Sequence, residues 1–189
     1  MMRIINNVPL ALNVAGSADG AAVLLLHSVG LSTREGWREQ VAPLATAGFR
    51  VVTFDFPGLG ESAPGNVPPG VDAFARTAVA VLDALGIARA HVMGVSLGGF
   101  VAQCLALDHP ERVDRLVLVS TTARIAAGNS GARAARNDAI RAQGMAVAAG
   151  PQIDSHFPED FRRAQPQVMD WYRNHYLAND PETYIAIME

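Results

Sequence analysis

Runs of mostly apolar residues alternate along the first two thirds of the chain with segments in which apolar residues recur at helical spacing. Apolar runs without a polar face are typical of strands that are buried on both sides of a parallel sheet. The predicted strands are residues 21–26, 50–54, 90–95 and 115–119, and the predicted helices are about 36–47, 71–85 and 100–109. Before them, two short strands (2–5 and 10–14) around Asn6-Asn7 predict a hairpin. This order predicts an α/β fold, with a mostly parallel sheet covered by helices.

The pattern changes after Ser120. The remaining residues contain no strand-like run, and their helical pieces are separated by prolines, for which we expect breaks at Pro151, Pro158, Pro166 and Pro181. This segment predicts a small helical cap over the carboxyl edge of the sheet. We therefore divide the chain into a core, residues 1–122, and a cap, residues 123–189.

Composition and charge narrow the class of protein. The 189 residues carry a net charge of -3, with 50% hydrophobic and 17% charged residues, which indicates a globular protein with one sizeable core. No basic patch suggests nucleic acid, and neither a secretory signal nor a membrane span is predicted, so the expected location is the cytoplasm. The single cysteine, Cys104, rules out an internal disulfide and is predicted to be a small core residue rather than a reactive thiol.

The candidate chemistry lies in residues 94–98, Gly-Val-Ser-Leu-Gly, between a predicted strand and a predicted helix. This G-x-S-x-G pattern is typical of a nucleophile elbow, a sharp turn that raises the Ser96 hydroxyl above the sheet. The two glycines remove side chains that would clash in the turn. The following helix N-terminus favours developing negative charge. The alternative is a tight strand–helix turn that happens to contain a serine.

With this elbow, the chain resembles the α/β-hydrolase family over its whole length. The matching segments are residues 27–30, 55–62, 94–98 and 109–113. Within the family it looks most like the 3-oxoadipate enol-lactonases, on the basis of residues 27–31 with Trp37, residues 120–124 and residues 141–145. The resemblance implies an α/β-hydrolase fold with a helical cap and the hydrolysis of a small carboxylic ester or lactone.

The resemblance also implies roles for individual residues. Ser96 would attack the carbonyl carbon, and the backbone N–H groups of Leu97 and Val29 would bind the oxyanion. His27 and Ser28 begin the loop that contains Val29, and we expect them beside the substrate. For His27, bracing of this loop by hydrogen bonds is the alternative to proton transfer.

The substrate of such a lactonase bears a carboxylate, so the resemblance implies a cation in the pocket. Arg34 and Arg124 are the candidates because they follow the loop and enter the cap, and arginine suits a carboxylate. Trp37 could supply an apolar wall. The alternatives are solvated surface arginines and a tryptophan that packs in the core. No metal or organic cofactor is implied, because the sequence contains no His/Cys cluster and no phosphate-binding loop.

A serine hydrolase of this fold needs an acid and a histidine after its seventh and eighth strands. The sequence predicts no strand after Val119, and the later histidines, His109, His156 and His175, are not placed like a triad histidine. We therefore expect a chain truncated after the sixth strand and the cap, inactive by itself, with an apolar sheet edge that could self-associate. The alternative function is a non-catalytic, hydrolase-like binding protein.

Overall fold

One mixed sheet organises the fold. The computed structural model describes residues 1–31, 33–66, 68–124 and 130–189, and these residues form a sheet in the order β1-β2-β4-β3-β5-β6. The strands are β1 Met2–Ile5, β2 Val8–Gly16, β3 Ala22–Leu26, β4 Arg50–Phe54, β5 Ala90–Val95 and β6 Val113–Val119. The hairpin β1–β2 and the pair β2–β4 are antiparallel, whereas β4, β3, β5 and β6 are parallel to one another. The predicted hairpin and parallel sheet are confirmed.

The second strand of the hairpin is longer than predicted. Asn6 and Asn7 both adopt positive φ angles, 50° and 64°, which makes a two-residue turn, so β2 resumes at Val8 rather than at Leu10.

Alternate residues of β3 divide the core between the two faces of the sheet. Leu24 and Leu26 pack with the helices Val71–Ala84 and Leu97–Asp108, while Val23 and Leu25 pack with Trp37 and the first helix. These core helices are α1 Arg38–Thr46, α2 Val71–Ala84 and α3 Leu97–Asp108, and short 3-10 turns occupy Arg34–Trp37 and Pro110–Arg112. The predicted cover of helices on both faces is therefore confirmed.

From Ser130 onward, the described residues after β6 form a series of helices, in agreement with the predicted cap. Their helices are α4 Ser130–Gln143, α5 Ala146–His156, α6 Glu159–Ala164, α7 Pro166–Leu177 and α8 Pro181–Met188. The expected break at Pro151 was wrong, since α5 continues through this residue. Pro158, Pro166 and Pro181 do lie at helix starts, where the fixed φ and missing N–H of proline are tolerated. Residues 125–129 of the predicted cap lie outside the described residues.

The cap has its own apolar core, which contains Ile140, Met145, Ile153, Tyr176 and Tyr184. Leu31, from the loop after β3, also belongs to it, so this loop contacts the cap directly. The division at residue 122 remains a prediction.

The last strand, β6, lies at the edge of the sheet. Leu116, Val117, Leu118 and Val119 each expose between 38% and 44% of their surface. An apolar edge of this kind offers unpaired backbone groups to another strand. In the described part of the chain, no helix is long and apolar enough to cross a membrane.

Candidate active site

Ser96 occupies a strained turn between β5 and α3. Its φ and ψ angles are 51° and -113°, and residues with a Cβ rarely adopt a positive φ. Neighbouring backbone groups hold the turn: the Ser96 N–H donates to the Val119 carbonyl across 3.0 Å, and the Ser96 carbonyl accepts from Gly99 N–H at 2.9 Å. A strained angle that the surrounding structure maintains in this way is typical of a functional residue.

The glycines of the motif are required by close packing. A Cβ at Gly94 would overlap the backbone of Gly98, and a Cβ at Gly98 would overlap the Leu26 carbonyl and lie 2.7 Å from the His27 carbonyl oxygen. The first turn of α3 therefore rests directly on the end of β3. This contact brings the serine turn next to the start of the loop that contains Val29.

Two backbone N–H groups are available near this junction. Leu97 is the first residue of α3, and the first N–H groups of a helix have no acceptor within the helix. Val29 packs against the cluster that includes Leu97. Neither N–H donates a hydrogen bond within the described part of the chain. An oxyanion hole needs N–H groups that are free to donate to one oxygen, so these two stay the predicted oxyanion donors.

His27 is fully buried beneath this loop. Its Nδ1 lies 2.6 Å from the Ser28 carbonyl oxygen, and its Nε2 accepts a hydrogen bond from the Phe56 N–H at 3.0 Å. These partners assign the ring proton to Nδ1. Both nitrogens bind backbone groups of two loops, an arrangement that favours bracing over proton transfer. Ser28 is half-buried beside the ring.

Arg34 is bound by carboxylates of the chain itself. Its guanidinium forms ion pairs with Asp55, which is fully buried, and with Glu61. Asp55 also accepts hydrogen bonds from the backbone N–H groups of Arg34 at 2.7 Å and of Glu61 at 3.0 Å. The charge of Arg34 is therefore compensated by carboxylates of the chain itself. These ion pairs stabilise the turn after β4. In the same turn, a Cβ at Gly60 would overlap the Asp55 carboxylate.

Two further predicted residues, Trp37 and Arg124, form no hydrogen bond or ion pair with Ser96 in the described part of the chain. Trp37 is 7% exposed and packs with Val23, Leu25 and Val51 in the core beneath α1. Arg124 is exposed, and its backbone N–H donates to the Thr122 hydroxyl at 3.1 Å.

No histidine among the described residues is hydrogen-bonded to Ser96, whose hydroxyl makes no side-chain hydrogen bond there. The other histidines have partners of their own. His91 lies 3.0 Å from an Asp114 oxygen, and His109 lies 3.8 Å from a Glu111 oxygen. His156 and His175 each lie 2.8 Å from a backbone carbonyl oxygen, those of Gln152 and Trp171 respectively. The described residues thus supply a candidate nucleophile and oxyanion donors without a base in contact with the serine. Nor do they contain a group of three His, Cys, Asp or Glu side chains placed to hold a metal ion.

The sequence interpretation missed the cap residues that support the loop after β3. The Asn179 side chain donates to the Gly30 carbonyl, and the rings of Tyr176 and Tyr184 lie against Gly30, within 3.3 Å and 3.0 Å of where its Cβ would be. Gly30 has a φ of 83°, which favours glycine. No local pattern could have identified these partners, because about 150 residues separate them from the loop.

Comparison with known proteins gives one family. A family model described as the alpha/beta hydrolase fold matches residues 21–183. Among solved structures, the enol-lactonase from Burkholderia xenovorans LB400 superposes with a TM-score of 0.90 at 28% identity, covering 98% of this chain and 71% of that one.

Curated relatives are also hydrolases. The 3-oxoadipate enol-lactonase 2 of Acinetobacter baylyi is 30% identical over 182 residues, which cover 95% of this chain and 67% of that protein. A 2-hydroxy-6-oxononadienedioate/2-hydroxy-6-oxononatrienedioate hydrolase of a Pseudomonas species is 37% identical over 116 residues, or 60% of this chain and 40% of that protein. The chain thus spans between about one third and two thirds of the length of the curated relatives reported for it.

Proposed function

This chain belongs to the α/β-hydrolase family, and on that premise we propose that Ser96 is the nucleophile of a hydrolase that cleaves a small carboxylic ester or lactone. The observation that carries the proposal is the strained turn at Ser96, which places this hydroxyl at the start of α3 beside the unpartnered N–H of Leu97. A serine in that position fits acyl transfer.

In the proposed reaction, the Ser96 oxygen attacks the carbonyl carbon of the ester. The carbonyl electron pair moves onto oxygen, which accepts hydrogen bonds from the N–H groups of Leu97 and Val29. The alkoxide then leaves, opening the ring if the substrate is a lactone, and water hydrolyses the acyl-enzyme. The serine proton must pass to a base. No histidine among the described residues is hydrogen-bonded to Ser96, so these residues do not identify the base.

The best substrate candidate is a 3-oxoadipate enol-lactone, as in aromatic-compound catabolism. It is supported by the relative and the solved structure that cover nearly the whole of this chain, both of which are named enol-lactonases. A cytoplasmic location belongs to the same proposal.

The test uses the protein as its gene encodes it, including any reading frame that continues past residue 189. We expect Ser96→Ala to lower the rate of lactone hydrolysis on the order of 10³-fold or more, because nucleophilic attack is lost. Ser17→Ala, at an exposed position, is the matched control and should leave the rate unchanged. Hydrolysis that survives Ser96→Ala in purified protein would refute the proposal.

The unpartnered Ser96 hydroxyl also favours a second candidate, a hydrolase-like protein that binds its ligand without cleaving it. A serine without a base is a weak nucleophile, so the 189-residue chain should react poorly with a serine-directed phosphonate and show no burst with an activated ester. Rapid, stoichiometric labelling of Ser96 would show that a histidine of this chain acts as base, and His156 and His175 would be replaced first. A natural stop codon after Glu189, together with poor labelling, would favour the binding protein.

A further inference from the structure

The direction of the Val29 N–H is fixed through the peptide group to which it belongs. The carbonyl of the same peptide group is that of Ser28, and it accepts a hydrogen bond from His27 Nδ1 at 2.6 Å. In a planar trans peptide, the N–H points away from the carbonyl oxygen. The bond from His27 therefore turns the Val29 N–H away from the imidazole ring, which is fully buried beneath the loop.

The residues that follow form a tight turn centred on Gly30. The Leu31 N–H donates to the Val29 carbonyl at 3.1 Å, which is the hydrogen bond of a γ-turn. The φ of 83° at Gly30 is close to that of the rarer, strained form of this turn. A strained turn persists only where the surrounding structure holds it. Because Val29 directly precedes Gly30, relaxation of the turn would change the direction of the Val29 N–H.

The groups that hold this turn come from the cap. The Asn179 side-chain amide donates to the Gly30 carbonyl at 2.8 Å, and the rings of Tyr176 and Tyr184 pack against Gly30 from the same side of the chain. An aromatic ring offers no hydrogen bond to the carbonyl. Within the described part of the chain, Asn179 is the only hydrogen-bond partner of the Gly30 carbonyl.

Asn179 is itself held by the end of α7. Its amide also donates to the carbonyls of His175 at 2.8 Å and Tyr176 at 2.9 Å. Tyr176 is completely buried in the apolar core of the cap, so the position of the amide depends on the packing of α7. The amide has two N–H protons for three carbonyl acceptors, which leaves no donor for a substrate.

We propose that Asn179 is a positioning residue of the oxyanion hole, which acts through Gly30 to keep the Val29 N–H directed at the carbonyl oxygen of the substrate. This inference rests on the proposed function, because it takes Val29 as one of the two oxyanion donors. It couples docking of the cap to the reaction through the backbone of the loop, without a contact between Asn179 and the substrate.

The experiment compares steady-state hydrolysis of para-nitrophenyl acetate by the protein as its gene encodes it and by two variants. Asn179→Asp keeps the shape of the side chain but removes the donor, and its carboxylate would face the Gly30 carbonyl. We expect kcat and kcat/KM to fall together by about 10- to 100-fold with KM nearly unchanged, as when an interaction made only in the transition state is weakened. Asn174→Asp adds the same charge on the exposed face of α7 and should change neither constant.

A loss of stability alone predicts a different result. Ile153→Val removes a methyl group from the apolar core of the cap and should lower the melting temperature by about 2–4 °C. It removes no hydrogen bond, so kcat should stay at the parental value. All rates are measured under conditions in which circular dichroism shows each variant to be folded.

Heteronuclear NMR of the same proteins gives a readout that does not need catalysis. The amide signals of Val29, Gly30 and Leu31 should move in Asn179→Asp and keep their positions in Asn174→Asp, because only the first change releases the Gly30 carbonyl.

The inference is overturned if Asn179→Asp keeps the parental kcat, if it raises KM alone, if Ile153→Val lowers kcat equally, or if the Val29 signal does not move. Ser96→Ala distinguishes this failure from failure of the proposed function. Loss of hydrolysis in Ser96→Ala with a parental rate in Asn179→Asp would overturn only this inference. Hydrolysis that is absent, or that survives Ser96→Ala, would refute the proposed function, and the Val29 signal would then decide whether Asn179 holds the loop.

Discussion

The Asn179 side-chain amide lies 2.8 Å from the Gly30 carbonyl oxygen and joins the cap to the loop after β3. The same amide donates to the carbonyls of His175 at 2.8 Å and Tyr176 at 2.9 Å, in the last turn of α7. One side chain thus closes a helix end and positions the loop that contains Val29.

Asn179→Ala should lower the free energy of unfolding by about 1–3 kcal/mol, because it leaves partly buried carbonyl groups unpaired. Urea denaturation measures this change, and hydrogen exchange of residues 28–31 should become faster. Asn174→Ala, on the exposed face of the same helix, is the control and should change stability by less than about 0.5 kcal/mol. Equal effects of the two substitutions would show that the Asn179–Gly30 bond does not fasten the cap.

Gly98→Ala should destabilise the protein by about 3 kcal/mol or more, or prevent soluble expression, because the added methyl group would overlap the Leu26 carbonyl in a place where neither backbone can yield. The matched control is Gly131→Ala in α4, where a Cβ meets nothing within 4 Å. That change should raise stability by up to about 1 kcal/mol through helix propensity. Thermal melts of the two variants compare the effects directly, and a neutral Gly98→Ala would mean that α3 can move away from β3.

The apolar edge strand should make the isolated 189-residue chain self-associate. Val117→Lys places a charge in β6 and should weaken this association by about tenfold or more in sedimentation velocity. Leu107→Lys is the control, since Leu107 is 80% exposed on α3 and is not part of the edge strand. A monodisperse parent protein with protected amides at residues 116–119 would contradict the prediction.

Cys104 should be a slow nucleophile. It is half-buried against the core, and its sulfur lies 3.1 Å from an Asp108 oxygen and 3.4 Å from an Asp72 oxygen. Burial, followed by the interactions with these carboxylates, raises the pKa of Cys104 to about 12. At pH 8, alkylation by iodoacetamide should be on the order of 10³-fold slower than for a free thiol, as mass spectrometry would measure.

The raised pKa of Cys104 also determines how the stability of the folded protein changes with pH. The folded state holds the thiol proton more tightly than the unfolded state, so the contribution of this group to stability is complete below the ordinary thiol pKa of 9.0 and is lost as the pH rises towards about 12. Asp108→Asn should lower the pKa and speed alkylation. An unchanged rate would assign the slow reaction to burial alone.

Features that depend on residues adjacent in the chain could be predicted from the amino-acid sequence. Continuous apolar runs predict the buried parallel strands, and the Gly-x-Ser-x-Gly spacing predicts the turn at Ser96, because a strand, a tight turn and a helix each leave a local pattern. The apolar character of residues 116–119 likewise predicted the exposed edge that β6 forms.

The surroundings of each charged side chain, in contrast, depend on how the chain folds in three dimensions. Arg34 and Arg136 are the same kind of residue in the sequence, yet the first is neutralised by Asp55 and Glu61 while the second lies inside the cap with an unpaired Nε. Electrostatic interactions act through space between residues that are far apart in the chain, so no local pattern could distinguish the two arginines. The same reason hid the bond between Asn179 and Gly30, which exists only because the cap folds back over the sheet.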